Sequence, residues 1–186
     1  MLTDLSRDES KRLAAIDLLK NPDKGRDDAL EKYIHLICHL LSMPMGFVSI
    51  LDEEKQYIKS AQNFAVTETS LSEAFCVQTL KQSKTFICHD THQHPIFRDY
   101  HAVKEAPFIR FYAGCPLKTQ DGVPVGTLCI LDTQPRELSD EQLDLFEKMA
   151  GLIADFLASW HSVGYLDIVT LLPNRQRLLK DIEVSA

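Results

Sequence analysis

The stretch IRFYAGCPLKTQDGVPVGTLCIL, residues 109–131, decides the fold. Two runs rich in β-branched and aromatic residues flank Gln120-Asp121-Gly122, and Asp-Gly tolerates the positive φ that a tight hairpin turn requires. The stretch therefore reads as an antiparallel pair of strands. Alternation puts Arg110 and Tyr112 on one face of that pair, and Phe111 and Cys115 on the other. Which of these faces would meet a cavity is left open.

Upstream, FVSIL and QYIKSA, separated by the charged DEEK, read as a second hairpin, and TFIC (85–88) reads as a short strand. Between them, after a polar loop, Ser72 to Gln82 reads as a helix. A proline-containing loop around His94-Pro95 follows TFIC, with room for a brief helix. Earlier in the chain, Asp27 to Leu41 has Leu30, Ile34, Ile37, Cys38 and Leu41 on one face. Asp27 and Asp28 stand near the positive end of that helix dipole. Leu13, Ile16 and Leu19 suggest a short amphipathic helix that ends at Asn21-Pro22.

Downstream, Ser139 and Gln142 fit a capping box. The helix they open has apolar residues at Phe146, Met149, Ile153, Phe156, Trp160 and Val163, in steps that alternate three and four. Such a heptad seam suits a coiled-coil-like dimer stalk. The alternatives are a helix packed on its own sheet, and one whose first half packs inward while its second half pairs. Hairpins framed by helices make the fold class α+β.

The balance of 45% hydrophobic and 25% charged residues over 186 positions is that of a soluble globular chain able to bury a full core. A formal charge of -7, without a block of Lys and Arg, argues against a nucleic-acid partner. The N-terminal MLTDLSRDES lacks the basic start and apolar run of a secretory signal, and no apolar stretch reaches transmembrane length. Five cysteines, widely spaced and without a C-x-x-C pair, suggest neither a disulfide framework nor a zinc ribbon. The expected location is the cytoplasm.

Three constellations could carry chemistry. CHDTHQH gathers Cys88, His89, Asp90, His92 and His94, as a metal site would. No second ligand cluster follows, so a solvated loop without metal is expected. A redox role would draw on Cys76, Cys88 or Cys115, although Cys76 lies in an apolar helical run and Cys115 and Cys129 lie in strand patterns where cysteine is usually a small buried hydrophobe. The third constellation is aromatic: Phe97, Tyr100, Phe108, Phe111 and Tyr112, interleaved with Arg98, His101 and Arg110. Such residues suit a pocket for an anionic or aromatic ligand, or a core under a lid.

The phrases PMGFVSILDEEKQYIKS, AFCVQTL, HPIFRDYHAV, IRFYAGCPL, GTLCILD and RELSDEQLDLFEKMA, in that order, resemble a GAF domain over about residues 10–160. The likeness is to bacterial GAF domains that precede histidine kinase or cyclase modules. It implies a central antiparallel sheet of five to six strands, with the N- and C-terminal helices on one face and short helices and loops on the other. A small-molecule cavity would lie under those loops. Cys76, Asp90, His92, Phe97, Arg110, Tyr112 and Cys115 are the residues placed to line it, with no cofactor evident and the ligand unidentified. Cys88-His89 is similar to a bilin-binding pair but lies on the strand before the irregular loop instead of on the later helix, so chromophore attachment is not expected.

Residues 167–175, DIVTLLPNR, with the following QRLL, resemble the opening of a GGDEF diguanylate cyclase domain, D-x-L-T-G-L-P-N-R. Asp167, Thr170, Leu172, Pro173, Asn174 and Arg175 match, whereas Val169 replaces leucine and Leu171 replaces glycine. The implied organisation is an N-terminal helix and linker (1–26), a GAF domain (27–158), a signalling helix (159–170) and the start of a GGDEF domain (171–186). The family's nucleotide- and metal-binding residues would fall after Ala186, so no catalytic residue is expected in this chain. The resemblance implies a cytoplasmic sensory domain, homodimeric through its C-terminal helix, that controls a cyclase in cis. A thiol redox enzyme such as a free methionine sulfoxide reductase and a ligand-free dimerisation module are the alternatives.

Overall fold

Two hairpins and two short edge strands make one antiparallel sheet in the order β3-β2-β1-β6-β5-β4. The fold is described from a computed structural model over residues 13, 16, 17, 19–119 and 122–163. Strands β1 (Met45–Leu51), β2 (Lys55–Gln62) and β3 (Glu68–Ser70) form one half, and β4 (Phe86–Cys88), β5 (Phe111–Lys118) and β6 (Pro124–Asp132) the other. The halves join where β1 pairs with β6, Phe47 opposite Cys129 and Ser49 opposite Thr127. The β5–β6 hairpin is the one expected, with Ala113 opposite Ile130. Gly122 has the φ of 80° that an Asp-Gly turn favours, while Gln120 and Asp121 lie outside the described residues. Strand β3 is an addition to the expected set, since the three residues Glu68–Ser70 are too short and polar for alternation to reveal.

Helices α1 (Lys24–Leu40) and α4 (Asp140–Val163) cover one face of the sheet. Helices α2 (Cys76–Gln82) and α3 (His101–Lys104), with the 3-10 turns Thr91–Gln93 and Phe97–Asp99, cover the other. The α+β class and the division into a long-helix face and a short-helix face are those read from the sequence. Helix α1 starts before Asp27 because Asp23 caps it, its carboxylate accepting from the Arg26 backbone N–H at 3.1 Å. Helix α2 starts at Cys76 instead of Ser72 because a turn follows β3, the Glu73 N–H donating to the Ser70 carbonyl at 3.1 Å. Before α1, Leu13, Ile16, Asp17, Leu19 and Lys20 are helical, and Ile16 is fully buried.

The capping box of α4 forms as expected: the Gln142 N–H donates to Ser139 Oγ at 3.2 Å, and the Ser139 N–H to Gln142 Oε1 at 3.0 Å. Beyond it, the first half of the heptad stripe packs inward, one of the arrangements its spacing allows. Phe146, Met149 and Ile153 are buried in the chain's own core, against α1 and the sheet. Phe156 packs on Tyr33, with ring centroids 5.5 Å apart. Trp160 donates its indole N–H to Asp23 at 2.9 Å and lies over Gly25, where a Cβ would come within 2.9 Å of the ring. An apolar stripe at these spacings is satisfied by any complementary surface, and here α1 and the sheet supply it. Val163 is helical, and its side chain lies outside the description. Residues 164–186, with DIVTLLPNR among them, also lie outside the described residues. Among the described residues no helix is long and apolar enough to cross a membrane.

Candidate functional site

The face under the short helices receives every second side chain of the central strands. Phe47 and Ser49 come from β1, Thr127 and Cys129 from β6, and Tyr112 from β5. The Tyr112 ring leans along its strand over Gly114, where a Cβ would collide with the Tyr112 hydroxyl and Thr79 Oγ1. Glycine at 114 thus lets the hydroxyl reach Thr79 Oγ1, 2.9 Å away on α2.

A network of buried thiols, hydroxyls and an amide surrounds that contact. Gln56 Nε2 donates to Cys76 Sγ at 3.0 Å, and the same sulfur lies 3.4 Å from Ser49 Oγ and 3.3 Å from Cys129 Sγ. Cys129 donates to Thr127 Oγ1 at 3.2 Å and lies 3.4 Å from the Tyr112 hydroxyl, while Ser49 and Thr127 are 2.9 Å apart. Among the described residues no buried side-chain nitrogen or oxygen lacks a partner, which is what makes a polar core affordable. Burial pushes thiols up, but at Cys76 hydrogen bonds from Cys129, Ser49, Thr127 and Tyr112 outweigh it and bring the thiol down to about 7. Cys129 is held well above the ordinary thiol value by burial and by Cys76, and burial likewise raises the Tyr112 phenol.

Aromatic rings fill the space between this floor and the lid. Phe75 lies 4.8 Å from Phe97, 5.2 Å from Tyr100 and 5.2 Å from Tyr112, centroid to centroid. His94 stacks on Phe97 at 4.2 Å and accepts from the Ile96 and Phe97 N–H groups through Nδ1, at 3.3 and 3.2 Å. Burial lowers its pKa. At the base of the lid, Arg110 grips Asp90 with both arms, Nε to Oδ1 at 2.9 Å and Nη2 to Oδ2 at 2.8 Å. Asp90 also caps the first 3-10 turn by accepting from the His92 N–H at 3.1 Å. The guanidinium holds the Asp90 carboxyl below its usual range. Thr91 completes the clamp, its hydroxyl donating to the Ile109 carbonyl at 2.6 Å.

The seven residues expected to line one pocket thus divide. Cys76, Phe97 and Tyr112 meet in the buried cluster, Asp90 and Arg110 engage each other at the lid base, and His92 is exposed. Cys115 is a correction: it lies on the opposite face, in the α1/α4 core, because its position on β5 has the parity of Phe111. There its sulfur lies 3.4 Å from Thr85 Oγ1. It borders a groove of about 380 Å³ lined by Thr85, Lys118, Glu147, Gly151 and Asp155 among others. Thr85 also donates to Glu147 at 2.6 Å. In the CHDTHQH run, Cys88 is buried, and His89 Nδ1 lies 2.9 Å from the Arg136 carbonyl. Among the described residues no group of three His, Cys, Asp and Glu side chains converges as a metal centre requires.

Ser49, Gln56, Phe75, Thr79 and Thr127 went unnoticed in the sequence. The parity of Ser49 with Phe47, and of Thr127 with Cys129, is the signal that finds those two once β1 is known to pair with β6.

A family profile for the GAF domain matches residues 23–158. A cyclic di-GMP phosphodiesterase of Pseudomonas aeruginosa is 32% identical over 178 residues, which cover 95% of this chain and 30% of that protein. The chain therefore spans less than a third of the relative's length. Among solved structures, the GAF domain of a phosphoenolpyruvate-protein phosphotransferase from Coxiella burnetii superposes with a TM-score of 0.65 at 16% identity, covering 85% of this chain and 99% of that one. The type II free methionine-R-sulfoxide reductase of Thermoplasma acidophilum superposes with a TM-score of 0.62 at 15% identity, covering 73% and 94%. At such identities these two likenesses are of fold alone. With the sheet order, the paired long helices and the lidded opposite face, the profile match over most of the chain leads to one conclusion: the chain belongs to the GAF-domain family.

Proposed function

We propose that this chain is the regulatory domain of an enzyme of cyclic di-GMP turnover, acting in the cytoplasm and controlling a module that follows it. The observation that carries the proposal is the 32% identity to a cyclic di-GMP phosphodiesterase over 95% of the chain, which reaches beyond residues 23–158 of the family match. Hydrolysis is therefore the favoured output. Synthesis is the second reading, supported by the likeness of DIVTLLPNRQRLL to the opening of a GGDEF domain. In this scheme residues 27–158 sense, 159–170 transmit and 171–186 begin the output module.

Coupling would run through α1 and α4, whose ends are tied by Trp160 and Asp23. A ligand or a partner subunit shifts output only by its differential affinity for two arrangements of these helices. With Phe146, Met149 and Ile153 buried within the chain, a homodimer would use the outer helix surface, where Leu36, Leu40 and Leu152 are exposed. A ligand entering under the lid would have to part Phe97 and Tyr100 from Phe75.

The test is to assay the full-length protein for hydrolysis of cyclic di-GMP and for its synthesis from GTP, with and without residues 27–158. A turnover rate that changes on deletion is the expected result, and a full-length protein with neither activity overturns the proposal. Sedimentation of Leu152→Glu against the parent chain tests the dimer. A dimer that persists in the variant places the interface elsewhere.

A further inference from the structure

The one thiol pair in sulfur-to-sulfur contact among the described residues joins α2 to the middle of β6. Cys76 Sγ and Cys129 Sγ stand 3.3 Å apart. A disulfide needs about 2.05 Å, so the sulfurs must close by roughly 1.2 Å. We infer that Cys76 and Cys129 are a peroxide-driven modification site, closing to a reversible disulfide that staples α2 to the central strand β6.

The surroundings suit the chemistry. Gln56 Nε2 donates to the Cys76 sulfur, and Ser49 lies within donating distance, so a thiolate there has its charge partly satisfied. The other cysteines lack this arrangement: burial pushes Cys38 and Cys88 up to about 11 and also raises Cys115. Since the thiolate is the nucleophile, Cys76 is the attacking sulfur of the pair. The Cys76 thiolate attacks one oxygen of hydrogen peroxide and the O–O bond breaks; Cys76 becomes a sulfenic acid, and the departing hydroxide takes up the proton that the thiol released on ionising and leaves as water. Cys129 then attacks the sulfenic sulfur, the S–S bond forms, and the S–O bond breaks. The departing hydroxide takes the Cys129 proton and leaves as water. Two thiols are oxidised by two electrons, one peroxide is reduced to two waters, and a dithiol reductant reverses the bond by exchange.

Both sulfurs are fully buried, so access depends on local opening. The covering helix is only Cys76–Gln82 and ends on Ser83 in the left-handed region, and a short element of this kind opens at a fraction of the global cost. The consequence reaches the lid, because Phe75, adjacent to Cys76, is the ring on which Phe97, Tyr100 and Tyr112 converge. A staple at Cys76 would restrain that hub.

The experiment treats the 186-residue chain with graded hydrogen peroxide at neutral pH, alkylates remaining thiols under denaturing conditions, and maps peptides by mass spectrometry. The expected result is loss of two alkylatable thiols and a linked peptide joining Cys76 to Cys129, both reversed by dithiothreitol, with Cys38, Cys88 and Cys115 still alkylated. Cys76 and Cys129 remaining alkylatable at doses that fully oxidise glutathione would overturn the inference, as would their conversion to sulfinic acids without a link. In Cys129→Ser, dimedone should trap a sulfenic acid at Cys76, and its absence from a folded variant removes Cys76 as the attacking thiol. Should that variant not fold, Cys115→Ser, altered on the far face, must still form the Cys76–Cys129 link if the inference holds.

Discussion

Phe111 and Tyr112 are neighbours on β5, both fully buried, yet they enter different surroundings. Phe111 meets aliphatic side chains of α1, α4 and β6, among them Leu30, Ile34, Leu128 and Ile153. Burial there is non-directional, and volume is its main requirement. Tyr112 enters a face where Ser49, Gln56, Cys76, Thr79, Thr127 and Cys129 satisfy one another. On that side each group depends on a partner at a set distance, and removing one orphans another. One face therefore behaves as a scaffold, and the other as a device whose chemistry depends on geometry.

The sharpest way to break this contrast is on the scaffold side. Phe146→Ala should cost about 3–5 kcal/mol in denaturant unfolding, whereas Phe146→Leu should cost less than about 1.5 kcal/mol. If Phe146 lay in an intermolecular seam, the loss would instead vary with protein concentration. On the device side, Gly114→Ala should cost about 1–3 kcal/mol by driving the Tyr112 hydroxyl from Thr79. A stability equal to the parent's would show that the close approach at position 114 is immaterial.

Tyr112→Phe should cost about 1–2 kcal/mol because it leaves Thr79 without its partner, while adding Thr79→Val should recover part of that loss. Strictly additive changes would mean that the hydroxyl contact carries no coupling. At the end of the helix pair, Asp23→Ala should cost about 1 kcal/mol through the lost cap. It should also alter the fluorescence of Trp160, the one tryptophan of the chain. An unchanged emission spectrum would argue against the Asp23–Trp160 bond.

The smallest effect is a pH dependence confined to the lid. Burial holds His94 below the ordinary imidazole value of about 6.5. The folded state therefore binds fewer protons than the unfolded chain, so stability is full above that pH and declines as pH falls through it toward the folded value. Protonation at Nδ1 would also remove the acceptor used by the Ile96 and Phe97 N–H groups. His94→Gln should flatten this slope between pH 7 and 5, and an identical slope in the variant would assign it to another group.

What proved legible in the sequence was local. The Asp-Gly turn, the Ser139–Gln142 box and the break at Asn21-Pro22 are set by residues a few positions apart, and the two hairpins follow from β-branched and aromatic runs on either side of turn or charged residues. Strand β3 is not legible because three polar residues carry no period, and α1 starts upstream of its apolar stripe because its cap, Asp23, stands outside that stripe.

That β5 has two unlike faces and that α4 carries an apolar stripe follows from the order of residues alone. Packing across the sheet sets Tyr112 against the short helices and Cys115 in the core of α1 and α4, and buries Phe146, Met149 and Ile153 against α1 and the sheet. The contacts that make those choices join residues far apart in the chain, Cys76 with Cys129 at a separation of 53 and Asp23 with Trp160 at 137. Alternation and amphipathicity specify that a surface must be buried, and the partner that buries it is selected by packing across the whole domain.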